Sequence, residues 1–444
     1  MTIRLPALAV FVLTVAATPL SAQSALTSQE QRIRDAIQAA QAAQVAYLQK
    51  VVDIPSSTLN FAGVRRVADV FAASFDSLGF VTSWIPLPDS VRRAGHFLAE
   101  HQGKPGRVRM LLIGHLDTVV EPDGPTFVQE DSVARGVGGS DMKGGDVIIL
   151  YALKALKAAG ALDDLNVTVI FTGDEEHPGE PLSVTRRDLI DAARHNDVAL
   201  AFEGGNRHDA TVARRGSSSW HITATGRQAH SSGVFGRGVG FGAIYELARI
   251  IDGIREQLSN EQYLTLNVAT IVGGTDVTYD SIANTGTIAS KLNIVPREAI
   301  AYGDLRFISE DQKERARATM RDIVSQHLPG TDAEIVFEDF YPAMPPTPGN
   351  ARLLAVYDTV SQALGYGAVE ALDPGRRGAG DISFVAPYID GLDGLGALGS
   401  GSHSPDEVVN LATLPMQTER AALLLRRVGA LPASAFARPG STRQ

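Results

Sequence analysis

His115, Asp117, Asp141, Glu175, Glu176, Glu203 and His403 form an ordered series of metal-ligating residue types along a chain of 444 residues. Each stands where a strand-like run gives way to a loop. Imidazole and carboxylate suit zinc and related divalent ions, cobalt and manganese among them, and the set is large enough for two ions sharing one carboxylate. There is no Cys, so thiolate ligands, thiolate catalysis and disulfides are excluded, and any ion is held by His and carboxylate. Activation of water by a bound ion, and hence hydrolysis, is the chemistry this set favours.

Taken singly, each motif admits a second reading. In GHLDTV, His115 and Asp117 lie on one side of an extended segment, so the carboxylate can support a ligating imidazole, or His115 can be an ordinary surface histidine. In GGSDMKGG, Asp141 occupies a glycine-flanked turn entering a helix, where one carboxylate can approach two cations or simply cap the helix. In FTGDEEHPGE, Glu175 and Glu176 are neighbours on an extended segment and face different ways. One can ligate metal while the other removes a proton from water, or both can belong to a solvated acidic loop. His177, followed by Pro178, is read as lying behind the ligands or in solvent.

The elements that must position these residues follow from hydrophobic periodicity. Helical spacing covers Ser28 to Val52, with Ser28 as cap, then Phe61 to Leu78, Lys143 to Ala159 and Asp188 to His195. Strand-like runs cover Arg107 to Gly114, Asn166 to Thr172 and Val198 to Phe202, ending at His115, the GDEE loop and Glu203. This is an α/β pattern with the sheet between helices and chemistry at the carboxyl ends of successive strands. Near Arg214 the character changes. Strands at Ser217 to Thr225, Leu264 to Val272 and Ala299 to Phe307 alternate with helices at Gly238 to Ile254 and Asp311 to His327, which reads as an inserted α+β domain. After the Pro-rich MPPTP the chain returns to helix, Ala351 to Leu364, and to glycine-rich loops carrying Asp381 and His403.

The domain boundaries expected are therefore 1–22 for a signal peptide, 23–213 and 331–435 for the two parts of the α/β domain, 214–330 for the insertion, and 436–444 for a tail. The first segment has Arg4, an apolar run from Leu5 to Ala17 and small residues up to Ala22. That is the make-up of a cleaved secretory signal, predicting an exported protein, periplasmic or secreted, with no stable membrane anchor. The lack of Cys fits an oxidising compartment. A formal charge of −10 without any Lys/Arg-rich run argues against nucleic acid as a partner.

The series GHLDTV, GGSDMKGG, GDEE, FEGG and GSHSPDE, in this order and at these separations, resembles the family of zinc-dependent exopeptidases and deacylases that includes glutamate carboxypeptidase, aminoacylase and succinyl-diaminopimelate desuccinylase. The resemblance implies a di-zinc catalytic domain interrupted by a smaller lid that forms a homodimer. It implies Asp141 as the bridging ligand, His115 and Glu203 on one zinc, and Glu176 and His403 on the other. It makes Glu175 the general base and Asp117 the residue that orients His115, and it implies a cis peptide after Asp141. GRQAHSSG resembles the lid motif whose histidine, here His230, reaches a neighbouring subunit's site. KLNIVPREAIAYGDLRF resembles the segment whose Asn293 and Arg306 hold a substrate carboxylate. The GAGD loop, with Gly380, resembles one that offers backbone groups to substrate, although Arg376 and Arg377 depart from its usual small residues and are read as surface. The function implied is hydrolysis of a C–N amide bond in a small peptide or N-acyl amino acid with a free carboxylate, carboxypeptidase-like. The alternatives are a di-zinc aminopeptidase and a non-catalytic metal-dependent binding protein.

Overall fold

A computed structural model describes residues 25–436 except 281, 282 and 284; the expected signal peptide and all but the first residue of the expected tail fall outside the described residues. The principal sheet has six strands in the order Val81–Pro86, Gly95–His101, Asn166–Thr172, Arg109–His115, Val198–Ala201, Asp390–Leu392. Gly95–His101 runs antiparallel to both its neighbours, and the last four strands are mutually parallel.

The central strands are mostly continuous apolar runs because both faces are covered. In Arg109–His115, Met110 and Leu112 point into one core cluster while Leu111 and Ile113 point into another. Val198 and Leu200 against Ala199 and Ala201 repeat the division on the next strand. One face carries the helices Phe61–Leu78, Lys143–Ala158 and Leu414–Gly429, and the other carries Arg187–Arg194. The wall of apolar side chains from both faces fixes the carboxyl ends of the parallel strands, where the chemistry lies.

The inserted segment builds its own four-stranded antiparallel sheet, in the order Thr265–Gly274, Glu298–Phe307, Gly216–Gly226, Thr331–Tyr341. Glu298–Phe307 alternates strictly between half-exposed and buried residues. Its buried members, Ala299, Ala301, Leu305 and Phe307, pack with Trp220 and Ile222 under the helices Ala243–Leu258 and Glu310–Val324. A short antiparallel bridge between Arg214 and Met344 ties the chain's exit from the first body to its return.

Several expectations need correction. The insertion does not close at residue 330: Thr331–Tyr341 pairs along the length of Gly216–Gly226 and completes the second sheet. The stretch from residue 331, expected to open the second part of the α/β domain, instead forms the edge strand of the inserted sheet. The helix expected from Gly238 begins only at Ala243, since Gly240 and Gly242 hold positive φ of 81° and 80° and a Cβ on Gly240 would meet the Pro329 carbonyl. The helix expected over Ser28 to Val52 is two, Ser28–Ala39 and Gln41–Val52, and its cap is Thr27, which forms a capping box with Glu30. Hairpin strands Asp276–Asp280 and Thr285–Ala289 were not anticipated. Among the described residues no helix is long and apolar enough to cross a membrane.

Candidate metal centre

Three parallel strands deliver the site. His115 is the last residue of its strand, Glu175 and Glu176 follow Asn166–Thr172, and Glu203 follows Val198–Ala201. Asp141 arrives from the turn before the Lys143–Ala158 helix, and the Asp141–Met142 peptide is cis. His403 comes from the loop between the short antiparallel strands Gly399–Ser400 and Val408–Asn410 and adopts a left-handed backbone, φ 66°.

Two groups meet at one carboxylate. His115 Nε2 lies 3.4 Å from Asp141 Oδ1 and 3.8 Å from Glu203 Oε1. His403 Nε2 lies 3.3 Å from Asp141 Oδ2 and 3.3 Å from Glu176 Oε2. Glu175, adjacent to Glu176, turns instead toward His115 and Glu203, and all three present ligand atoms within 4.8 Å of one another. The split between the two glutamates is that expected of neighbours on extended backbone.

These spacings suit a bound cation better than direct hydrogen bonds. An N–H···O bond in proteins is about 2.9–3.0 Å long, whereas atoms about 2.0–2.1 Å from a tetrahedral ion sit about 3.3–3.4 Å apart. His115 Nε2 is buried and makes no hydrogen bond, while its Nδ1 is 3.0 Å from the Asp117 carbonyl oxygen. The imidazole is therefore held with one nitrogen satisfied and the other offered.

The electrostatics point the same way. Burial, and then Glu203, push the Glu175 carboxyl well above its ordinary range. Burial chiefly pushes Glu176 up to about 8 and Glu203 up to about 7. For Asp141, burial is outweighed by His115 and His403, which hold it well below the usual carboxylate range. Likewise His115 is drawn up by Asp117 and Asp141 against the effect of its burial. Four carboxyl groups crowded out of water in this way are an arrangement that divalent cations relieve. The residues present thus fit two ions sharing Asp141.

Asp117 meets His115 Nδ1 through its backbone carbonyl and the following glutamates through its side chain. Its carboxylate accepts hydrogen bonds from the amides of Glu175 and Glu176, 3.1 Å each, and from the Thr58 hydroxyl at 2.6 Å, with His115 Nδ1 farther off at 3.5 Å. It therefore fixes the loop that carries both glutamates.

Three supporting groups escaped the sequence reading. Glu407, buried, accepts from the amides of Gly138, Ser140 and Asp141 and from the Ser140 hydroxyl, clamping the turn that presents Asp141. Its signal was its place in GSHSPDE, four residues after His403. Arg186 is wholly buried between Asp174, at 2.6 Å, and Asp381, at 2.8 Å. Asp381 also accepts from the Thr172 hydroxyl, and the Tyr341 hydroxyl donates to the Glu175 carbonyl at 3.1 Å. Nothing in the sequence distinguishes Arg186 from the exposed Arg187 beside it. Arg214, paired with Asp393, donates to the carbonyls of Gly378 and Ala379. Gly380 is buried against its guanidinium, which a Cβ would approach within 2.9 Å.

The remaining expected residues lie elsewhere in this chain. His230 is exposed and caps the short turn after it through Ser232. The exposed Asn293 accepts, through its carbonyl, from the amide of Ser231. Arg306 is half-exposed and ion-paired with Asp304 at 2.8 Å on the same strand. Of the two arginines expected on the surface, Arg376 is exposed, but Arg377 is not: its Nη2 donates to the Gly204 carbonyl at 2.8 Å. The loop's path beneath the strand ends draws it inward.

Residues 111–427 match the profile of Peptidase family M20/M25/M40. The chain belongs to this family. Carboxypeptidase G2 of Pseudomonas sp. (strain RS-16) is 26% identical to it over 406 residues, 88% of this chain and 90% of that protein. A succinyl-diaminopimelate desuccinylase of Acidiphilium cryptum is 27% identical over 371 residues, 81% of this chain and 92% of that one. In fold it is similar to the aminopeptidase PepT of Bacillus cereus, with a TM-score of 0.68 over 87% of this chain and 98% of the other at 17% identity. As a member of this family of metallopeptidases and deacylases, with a metal-type cluster in place, the protein is a metal-dependent hydrolase.

Proposed function

We propose that the protein hydrolyses a C–N amide bond next to a free carboxylate, in a small peptide or N-acyl amino acid, using two zinc ions. Asp141 facing both His115 and His403 at 3.3–3.4 Å is the observation that carries this reading. His115 and Glu203 complete one ion's ligands, and Glu176 and His403 the other's. When bound, the ions polarise the scissile carbonyl and make water more acidic.

The residues supply the rest. Glu175 takes the proton of the attacking water and returns it to the departing nitrogen. A carboxyl lifted by burial well above its ordinary range suits both halves of that task, because a general base works best when its affinity for a proton matches the operating pH. Its backbone is anchored on both sides, by Asp117 at its amide and by the Tyr341 hydroxyl at its carbonyl, so the carboxylate is presented with little freedom.

Arg306 and Asn293 hold the substrate's carboxylate, and His230 stabilises the developing oxyanion, each acting on the site of a second copy. Their exposure on the inserted body, apart from the cluster of their own chain, fits action across a homodimer formed through that body. The Arg4 to Ala22 segment supports export. The test is a mass-spectrometric screen of zinc-loaded protein against dipeptides and N-acyl amino acids, paired with their carboxylate-amidated counterparts. Cleavage restricted to free carboxylates supports the reading. Equal cleavage of both sets, or none, sinks it.

A further inference from the structure

Tyr341 belongs to the inserted sheet by its backbone and to the first body by its side chain. It ends the strand Thr331–Tyr341, which pairs with Gly216–Gly226. The register of that pair jumps from Asp339 opposite Ser218 to Tyr341 opposite Ser217, which leaves Phe340 as the extra residue of a bulge. Asp339 faces the helix Glu310–Val324, where it meets Lys313 and Arg317. Side chains alternate along a strand, and a bulge re-aims the one that follows it. Without the bulge Tyr341 would share the helix-facing side of Asp339; with it, Tyr341 stands level with Ser217 and points away from those helices. There its ring joins the apolar cluster of the first body, 5.0 Å from the Phe384 ring, and its hydroxyl donates to the Glu175 carbonyl at 3.1 Å. Ala343, two residues on, is back in the core of the insert.

Ser217 has a second partner, Arg306, on the strand at its other side. Arg306, Ser217 and Tyr341 thus form one row across three paired strands, with the two ends about 10 Å apart, two strand spacings. We propose that Tyr341 is a positioning residue through which the seating of the inserted body sets the general base. Resting on the roles proposed for Glu175 and Arg306, the row couples the grip on a substrate carboxylate to the presentation of Glu175 in the same chain. The amide of Glu175 is held by Asp117 within the first body. Its carbonyl is held from the insert. Displacing a reacting group by about 1 Å can cost about 100-fold in rate, so the loss of this one hydrogen bond is enough to be felt in turnover.

The experiment compares zinc-loaded wild type and Tyr341→Phe by amide hydrogen exchange and by kinetics on a dipeptide cleaved in the screen above. Phenylalanine keeps the ring against Phe384 and removes only the hydroxyl. The Glu175 and Glu176 amides should exchange about threefold faster or more in the variant, because the loop that carries them opens more readily. Turnover should fall by about tenfold, with KM within about twofold and metal content unchanged. Because Tyr341 acts through Glu175, the same substitution in a Glu175→Gln background should cost less than about twofold further, and in an Arg306→Met background its effect should shrink to about threefold or less. A tyrosine that only stabilised the fold would cost the same in every background. Unchanged exchange, or an undiminished loss of turnover in either background, overturns the proposal. Faster exchange in a protein that hydrolyses none of the screen's probes keeps the link and removes the hydrolase, whereas hydrolysis with unchanged exchange does the reverse.

Discussion

Replacing Glu407 by Gln should weaken metal binding although Glu407 is not among the metal-type ligands. One of its oxygens accepts from Ser140 N, Ser140 Oγ and Asp141 N at 2.7–2.9 Å, and the other from Gly138 N at 2.8 Å. An amide keeps one acceptor and turns a donor toward a donor at the other. The variant loses at least one hydrogen bond to a charged group, worth about 1.5–3 kcal/mol. With about 2 kcal/mol lost from the order of the turn, and about 1.4 kcal/mol per tenfold in affinity, the affinity for both ions should fall by about 10- to 30-fold. Both fall together because Asp141 is the residue the two groups share. Competition with a chromophoric chelator measures this directly, with circular dichroism checking that the variant is folded. A folded variant that binds both ions within twofold of wild type would refute the idea that Glu407 presets Asp141.

The other predictions concern the network, the protons and the inserted body. Arg186→Met leaves Asp174 and Asp381 as unpaired buried carboxylates and should cost about 3–5 kcal/mol, read as a lowered denaturant midpoint; an unchanged midpoint contradicts the reading. In the metal-free protein, His403 is raised to about 9, chiefly by the facing Asp141 carboxylate, and Glu176 to about 8 by burial. Both hold protons at neutral pH that an ion must displace. Apparent metal affinity should therefore rise from pH 7 to 9, with protons released on binding in titrations run in buffers of different ionisation enthalpy; affinity that is flat or falls with pH is the contrary result. His230→Ala should depress turnover while leaving metal content intact, and unchanged kinetics would return His230 to its visible role as the cap of its own turn.

How legible the molecule was in its sequence differs by layer. The parallel strands could be read because burial on both faces makes them continuous apolar runs, as in RMLLIGH and VALA. The metal-type residues could be read because five short motifs carry them in a fixed order, three of them at the ends of those runs. Thr331–Tyr341 was missed because one side of an outer strand in a sheet covered on one face faces water, and its charged residues imitate a loop. Glu407 and Arg186 were missed for another reason. Their roles depend on partners far along the chain, Asp141 for Glu407 and Asp381 for Arg186, and GSHSPDE marks Glu407 only by its nearness to His403. Arg377 was misjudged because exposed arginine is the common case, and only the path of the glycine-rich loop shows it turned toward Gly204.

The division of labour between two adjacent, chemically identical residues is the centre of the account. Glu175 faces His115 and Glu203, and Glu176 faces His403 and Asp141. Metal content and turnover measured side by side for Glu175→Gln and Glu176→Gln test it most directly. Glu175→Gln should retain two ions per chain and lose turnover by about 100-fold or more, the scale of a general base, whereas Glu176→Gln should lose metal. Near wild-type turnover in Glu175→Gln, or loss of metal from it with full loading of Glu176→Gln, would contradict the account.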